Sequence, residues 1–136
     1  MFQYKSARVA EVLHIEVPTM DMVRSSYLLG TLIEGEYPAL CVGHTGTGKT
    51  VVVKAKVTAG LPKNFLADVI IFSARTSAYQ TQDLIDSKLV RRRKGVFGPA
   101  LGKKQVFFID DFNMPTLEVY GAQPPIELIR QWMDFK

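Results

Sequence analysis

The sequence predicts an α/β fold, a parallel sheet sandwiched by helices, and three stretches carry that reading. The apolar run Ala39-Leu40-Cys41-Val42 leads into a glycine-rich loop, and a segment free of Gly and Pro, Val51 to Ala59, follows it. A second apolar run covers residues 67–73, and a third, Val106-Phe107-Phe108-Ile109, ends in Asp110-Asp111. Strand-sized apolar runs alternating with helix-sized segments are the signature of parallel sheet with crossover helices.

The loop after the first strand is Gly43-His44-Thr45-Gly46-Thr47-Gly48-Lys49-Thr50, which fits G-x-x-x-x-G-K-[ST], the phosphate-binding P-loop. Strand, glycine loop and helix are the context the motif needs. Glycines let the backbone wrap close to phosphate oxygens. The N–H groups then point inward as an anion nest, and the helix N-terminus adds positive partial charge. In this reading residues 43–50 bind nucleotide, Lys49 reaches the β- and γ-phosphates of ATP, and the Thr50 hydroxyl ligates Mg²⁺. The alternative is a glycine-rich turn with a chance lysine, and the Asp110-Asp111 motif weighs against it.

The chain has 136 residues, enough for one modest domain, and 47% are hydrophobic, which argues against disorder. Seventeen Lys and Arg against 13 Asp and Glu give a formal charge of +4, which suits polyanions without singling out nucleic acid. Cys41 is the only cysteine, so no internal disulfide forms, and a reducing compartment fits. No apolar run approaches the ~20 residues of a membrane span. The N-terminus lacks a secretory apolar core, and no internal repeat is apparent.

In chain order, residues 1–36 read as a helical lead-in and 37–136 as the nucleotide-binding core. The spacing of Val9, Val12 and Leu13 predicts a shared helical face that Val17-Pro18 interrupts. His14 has no partner at metal spacing and reads as a surface or packed residue. Thr19 is an N-cap candidate for a helix over 20–34, with Met20, Val23 and Tyr27 at helical spacing and Gly35 closing it. Glu36-Tyr37-Pro38 turns into the first strand, and Gly60-Leu61-Pro62 stops the helix that follows the loop. Ser77 and Gln80 have capping-box spacing, so a helix starts near Ala78 with Leu84, Ile85 and Leu89 on its apolar side.

Two basic clusters, Arg91 to Lys94 and Lys103-Lys104, flank a loop containing Gly and Pro. A nucleic-acid patch is the sharper reading and a solvated hairpin-like loop the favoured one, because aromatic interleaving is sparse. Carboxylates at the C-terminal end of the third strand face the P-loop, where open α/β sheets bind ligands. This is a Walker B pattern. Asp110 holds Mg²⁺ directly or through water, and Asp111 stands where related ATPases place a water-activating glutamate. Asn113-Met114-Pro115 forms a turn. Pro124-Pro125 opens a last helix, Ile126 to about Met133, with Ile126, Ile129, Arg130 and Met133 on adjacent faces, and Trp132 packs there instead of binding a ligand.

The segments VPTMDMVRSSYLL, CVGHTGTGKT, FSARTSAYQTQDLIDSKL, RRRKGVFGPALGKKQVFFIDDFNMP and YGAQPPIELIRQW together resemble the dynein heavy chain. The match is to the third AAA+ module of the motor ring in the axonemal branch, and it runs over nearly the whole chain. The resemblance implies the large subdomain of an AAA+ P-loop NTPase within a minus-end-directed microtubule motor of cilia or flagella. It implies neighbouring AAA+ modules, microtubules and dynein intermediate and light chains as partners, the cytoplasm, cytoskeleton and axoneme as location, and no membrane. In that family the first module does the main hydrolysis and the third is regulatory.

Three departures stand out. His44 replaces the usual proline, at a loop position whose side chain can point away from phosphate, so little effect is expected. Asp111 replaces the usual Glu, which implies binding with slow hydrolysis. The chain also ends at Lys136 without a match to the sensor strand, helical lid or arginine finger, so the resemblance implies a module truncated before the sensor strand. In the family's sheet that strand lies between the P-loop strand and the Walker B strand. Residues 67–73 are therefore expected to pair in parallel with 105–110, with no ladder between Val42 and Ile109. Two other readings compete with a regulatory ATPase module of a ciliary motor: a structural nucleotide-binding module that does not hydrolyse, and a nucleic-acid-associated P-loop ATPase.

Overall fold

The computed structural model describes residues 19–134. The helical face expected around Val9, Val12 and Leu13, and His14 with it, lies outside the described residues.

Helix α1 spans Met20–Glu34, and the Thr19 side chain accepts a hydrogen bond from the Met22 N–H at 3.3 Å, as the N-cap reading expects. Its far end closes at Gly35, the expected C-cap. Gly35 keeps a right-handed φ of −78°, and Glu36 takes the left-handed value of 62°. The Glu36 N–H donates to the Ile33 carbonyl and the Tyr37 N–H to the Leu32 carbonyl. That pair of bonds is the Schellman arrangement, with glutamate in the position glycine usually fills.

Helix α2 (Lys49–Ala59) follows the glycine loop, and strand β1 (Phe65–Ile71) follows α2. Helix α3 spans Ala78–Lys88 and starts on the expected capping box, Ser77 and Gln80 bonding each other's backbone N–H. Strands β2 (Val90–Arg93) and β3 (Val96–Gly98) form an antiparallel hairpin, so the basic cluster is a hairpin arm. Strand β4 covers Lys104–Asp110 and helix α4 covers Pro124–Asp134.

β1 and β4 pair in parallel, with Ala67 opposite Val106 and Ile71 opposite Asp110. The Phe72 N–H extends the ladder to the Asp110 carbonyl at 3.0 Å. The parallel pairing is the expected one, although β1 begins and ends two residues early. Side chains alternate across β4, as a strand requires. Phe108 packs with Leu29, Ile33, Val53 and Val57 under α1 and α2. Phe107 and Ile109 pack with Ile70, Phe72, Ile85 and Ile129 under α3 and α4. The result is a parallel sheet between two helical layers.

Three expectations fail locally. Residues 39–42 form no strand: among the described residues nothing pairs with them, and Leu40 and Val42 are 73% and 84% exposed. A strand is defined by its ladder, and an apolar run without a hydrogen-bonding neighbour stays irregular. Leu84 is exposed, since Ile85 takes the inward position on α3. Trp132 is 40% exposed and only partly packed, because Ile129 is the α4 residue that reaches the sheet. No helix of the described residues is long and apolar enough to cross a membrane.

Candidate nucleotide site

Residues 43–50 leave the irregular segment and wrap into the first turn of α2. Gly46 and Gly48 have φ of 80° and 78°. An added Cβ at either would meet nothing within 4 Å. Glycine is therefore required here by backbone conformation and not by crowding. Gly48 is also the N-cap of α2, so the loop delivers backbone donors to the positive end of a helix.

The Lys49 Nζ donates to the carbonyl of Gly43 at 2.8 Å and to that of His44 at 2.5 Å, and it stands 3.3 Å from Thr47 Oγ1. Thr47 Oγ1 in turn donates to the His44 carbonyl at 2.9 Å. His44 thus serves the loop through its carbonyl, and the residue is exposed. Thr45 is exposed on the same turn.

Parallel pairing brings the C-terminal ends of β1 and β4 to one edge of the sheet. At that edge Thr50 Oγ1 donates to Asp110 Oδ1 at 3.0 Å, joining the helix of the glycine loop to the end of β4. The Asp111 N–H donates to the same Oδ1 at 3.1 Å. Asp111 is exposed and left-handed, with φ of 52°. The predicted residues are therefore brought together: the loop 43–50, Thr50 and Asp110 form one contiguous site, with Asp111 at its rim.

The donor set fits a magnesium–nucleotide. Among the described residues no group of three or more His, Cys, Asp or Glu gathers into an all-protein metal cage. Mg²⁺ instead favours one or two hard oxygen ligands plus substrate phosphates, which is what Thr50 and Asp110 provide. Sequence reasoning missed the supports behind the acid pair. Gln123 Nε2 donates to the Pro115 carbonyl at 2.6 Å, and Thr116 Oγ1 donates to the Ala74 carbonyl at 2.7 Å. Both acceptors are main-chain oxygens, so no residue pattern marks them.

Fold and loop together define a P-loop nucleotide-binding module of the α/β class. The family described as "P-loop containing dynein motor region" matches residues 4–136. The chain belongs to that family. It is 64% identical over 121 residues to dynein axonemal heavy chain 1 of Rattus norvegicus, covering 89% of this chain and 3% of that protein. It is 58% identical over 126 residues to dynein axonemal heavy chain 3 of Homo sapiens, covering 92% and 3%. It is 55% identical over 126 residues to dynein axonemal heavy chain 12 of Mus musculus, covering 92% and 4%. The chain thus spans 3–4% of the length of these relatives.

Proposed function

We propose that this chain is an ATP-binding module of an axonemal dynein heavy chain, corresponding to the third module of the motor ring, and that it regulates the motor while hydrolysing ATP slowly. The observation that carries the reading is the 3.0 Å bond between Thr50 Oγ1 and Asp110 Oδ1 at the mouth of the glycine loop. It sets a hydroxyl and a carboxylate side by side, where a phosphate-bound Mg²⁺ needs them.

The loop N–H groups and the α2 N-terminus bind the β- and γ-phosphates, and Lys49 turns from the Gly43 and His44 carbonyls to the phosphate oxygens. Thr50 and Asp110 would hold Mg²⁺, which would neutralise charge on the phosphates. Asp111 orients the attacking water as the general base. Its carboxylate is one methylene shorter than glutamate, about 1.5 Å of reach, which supports slow turnover.

As part of the complete heavy chain the module works beside neighbouring AAA+ modules, with microtubules and intermediate and light chains as partners, in the axoneme of a cilium or flagellum. The test is ATP turnover by the full ring with the main hydrolytic module disabled. Slow residual turnover lost on Lys49→Ala supports the proposal. Nucleotide binding with no residual turnover assigns the module a purely structural role.

A further inference from the structure

The turn that leaves β4 is held from two sides, and neither hold comes from the glycine loop. A non-glycine residue at the φ of Asp111, 52°, is uncommon and persists where its surroundings over-determine it. Here the Asp111 N–H is bonded to Asp110 Oδ1, and its carbonyl accepts from the Met114 N–H at 2.9 Å. Next along the chain, Pro115 is buried, and its carbonyl accepts from Gln123 Nε2 at 2.6 Å. The same amide reaches the Asn113 carbonyl at 3.4 Å. Thr116 is tied to the Ala74 carbonyl through its N–H at 3.2 Å and its Oγ1 at 2.7 Å. The Phe112 ring stacks on Phe72 with centroids 6.0 Å apart.

Gln123 stands directly before α4, and its own carbonyl accepts from the N–H groups of Ile126 and Glu127. One residue therefore both starts α4 and clamps the turn behind the acid pair. From Gln123 the connections run through Pro115 and Asn113 to Asp111, from the Asp111 N–H to the Asp110 carboxylate, and from that carboxylate to Thr50.

We infer that Gln123 is a positioning residue for the magnesium–nucleotide site: its amide holds residues 113–115, and so fixes the Asp111 backbone and the orientation of the Asp110 carboxylate against Thr50. The inference rests on the proposed reading of this site. It makes Mg²⁺ capture depend on where α4 sits, because displacing the start of α4 withdraws the clamp.

The test uses the full-length heavy chain with the phosphate loops of the other modules disabled, and measures labelled-ATP binding with and without Mg²⁺. Gln123→Glu keeps the side chain's size but turns a donor into an acceptor facing two carbonyls. It is expected to leave Mg²⁺-free affinity within about twofold and to reduce the Mg²⁺-dependent gain roughly tenfold, the scale of losing a support behind a metal ligand. Gln123→Met, similar in length and uncharged, is expected to show the same split, and carries the comparison if the Glu variant does not fold. An unchanged Mg²⁺ gain overturns the inference. Equal losses with and without Mg²⁺ also overturn it, because Gln123 would then be holding the fold and not the carboxylate. A parent ring that binds no ATP at this module overturns the site reading itself, and this inference with it.

Discussion

Thr50 and Asp110, sixty residues apart in sequence, meet through a single hydrogen bond of 3.0 Å. Each is the other's partner at the point where loop and sheet converge, so on the proposed reading their contributions to metal binding are coupled. Thr50→Ala and Asp110→Ala are each expected to weaken Mg²⁺-dependent ATP binding about tenfold, with little effect on Mg²⁺-free binding. The double variant should lose less than the product of the two, as residues sharing one network do. Titration of labelled ATP at fixed and zero Mg²⁺ measures the cycle, and full additivity would show that the bond has no role in metal capture.

Lys49 is the cation of the loop, and its ammonium is already surrounded by loop oxygens. Lys49→Ala should raise the Kd for ATP by on the order of a hundredfold, near the upper end for hydrogen bonds to charged groups. Lys54→Ala, an exposed position on α2, is the control and should leave the Kd unchanged. Lys56 is a poorer control, since its stem lies across Gly30, where an added Cβ would sit 2.6 Å from the Lys56 Cε. Equal affinities for the parent chain and Lys49→Ala would end the P-loop assignment.

Gly48 carries the backbone from the loop into α2 at φ 78°. Gly48→Ala meets no steric obstacle from neighbours, so its cost is the left-handed conformation alone, about 1–2 kcal/mol. That predicts roughly a tenfold loss of ATP affinity if the loop must hold this shape to bind. Gly46→Ala should behave alike. An alanine variant binding as well as the parent chain would mean that the loop binds phosphate in another conformation.

Asp111 brings two effects into competition. Glutamate would add about 1.5 Å of reach, and a misplacement of about 1 Å can cost on the order of a hundredfold in rate. Against this, glutamate tolerates the left-handed φ of 52° less well than aspartate does. The conformational cost falls on stability, about 1 kcal/mol, and not on the chemical step once the turn is clamped. Asp111→Glu should therefore raise single-site turnover at least tenfold while slightly lowering thermal stability. Turnover that stays level or falls would overturn the proposal that the short reach of Asp111 slows hydrolysis.

The glycine loop, the acid pair and the capping box were legible because each is a local backbone requirement written into adjacent residues. Gly43 to Thr50 specify a loop shape, and Ser77 with Gln80 specify a helix start. The parallel pairing of β1 with β4 followed from the resemblance, not from periodicity. What sequence could not supply were bonds ending on main-chain oxygens, which every residue carries. Gln123 to Pro115 and Thr116 to Ala74 are of this kind. The end of α1 was legible in Gly35, which is its C-cap, but not the place of the left-handed turn: the Schellman bonds put that conformation at Glu36.

The sheet edge sets the behaviour of these 136 residues expressed alone. Among the described residues β4 pairs only with β1, and the segment 39–44, which leads into the loop, has no ladder partner. A two-stranded pair is marginal in water without further strands or helix packing. Helices cover both faces here, but they leave the second edge of β4 unpaired among the described residues. Leu40 and Val42 in that segment are 73% and 84% exposed. Exposed backbone donors beside exposed apolar side chains form a template for pairing with another copy. The isolated chain should therefore self-associate at micromolar concentration, and its amides at 39–44 should exchange at rates close to those of an unfolded chain. The amides of β1 and β4 should be protected where the two strands bond each other. Sedimentation velocity and amide exchange on the purified chain measure both. A monodisperse monomer with slow exchange at 39–44 would mean that this segment acquires a ladder partner in solution, and that the edge is closed after all.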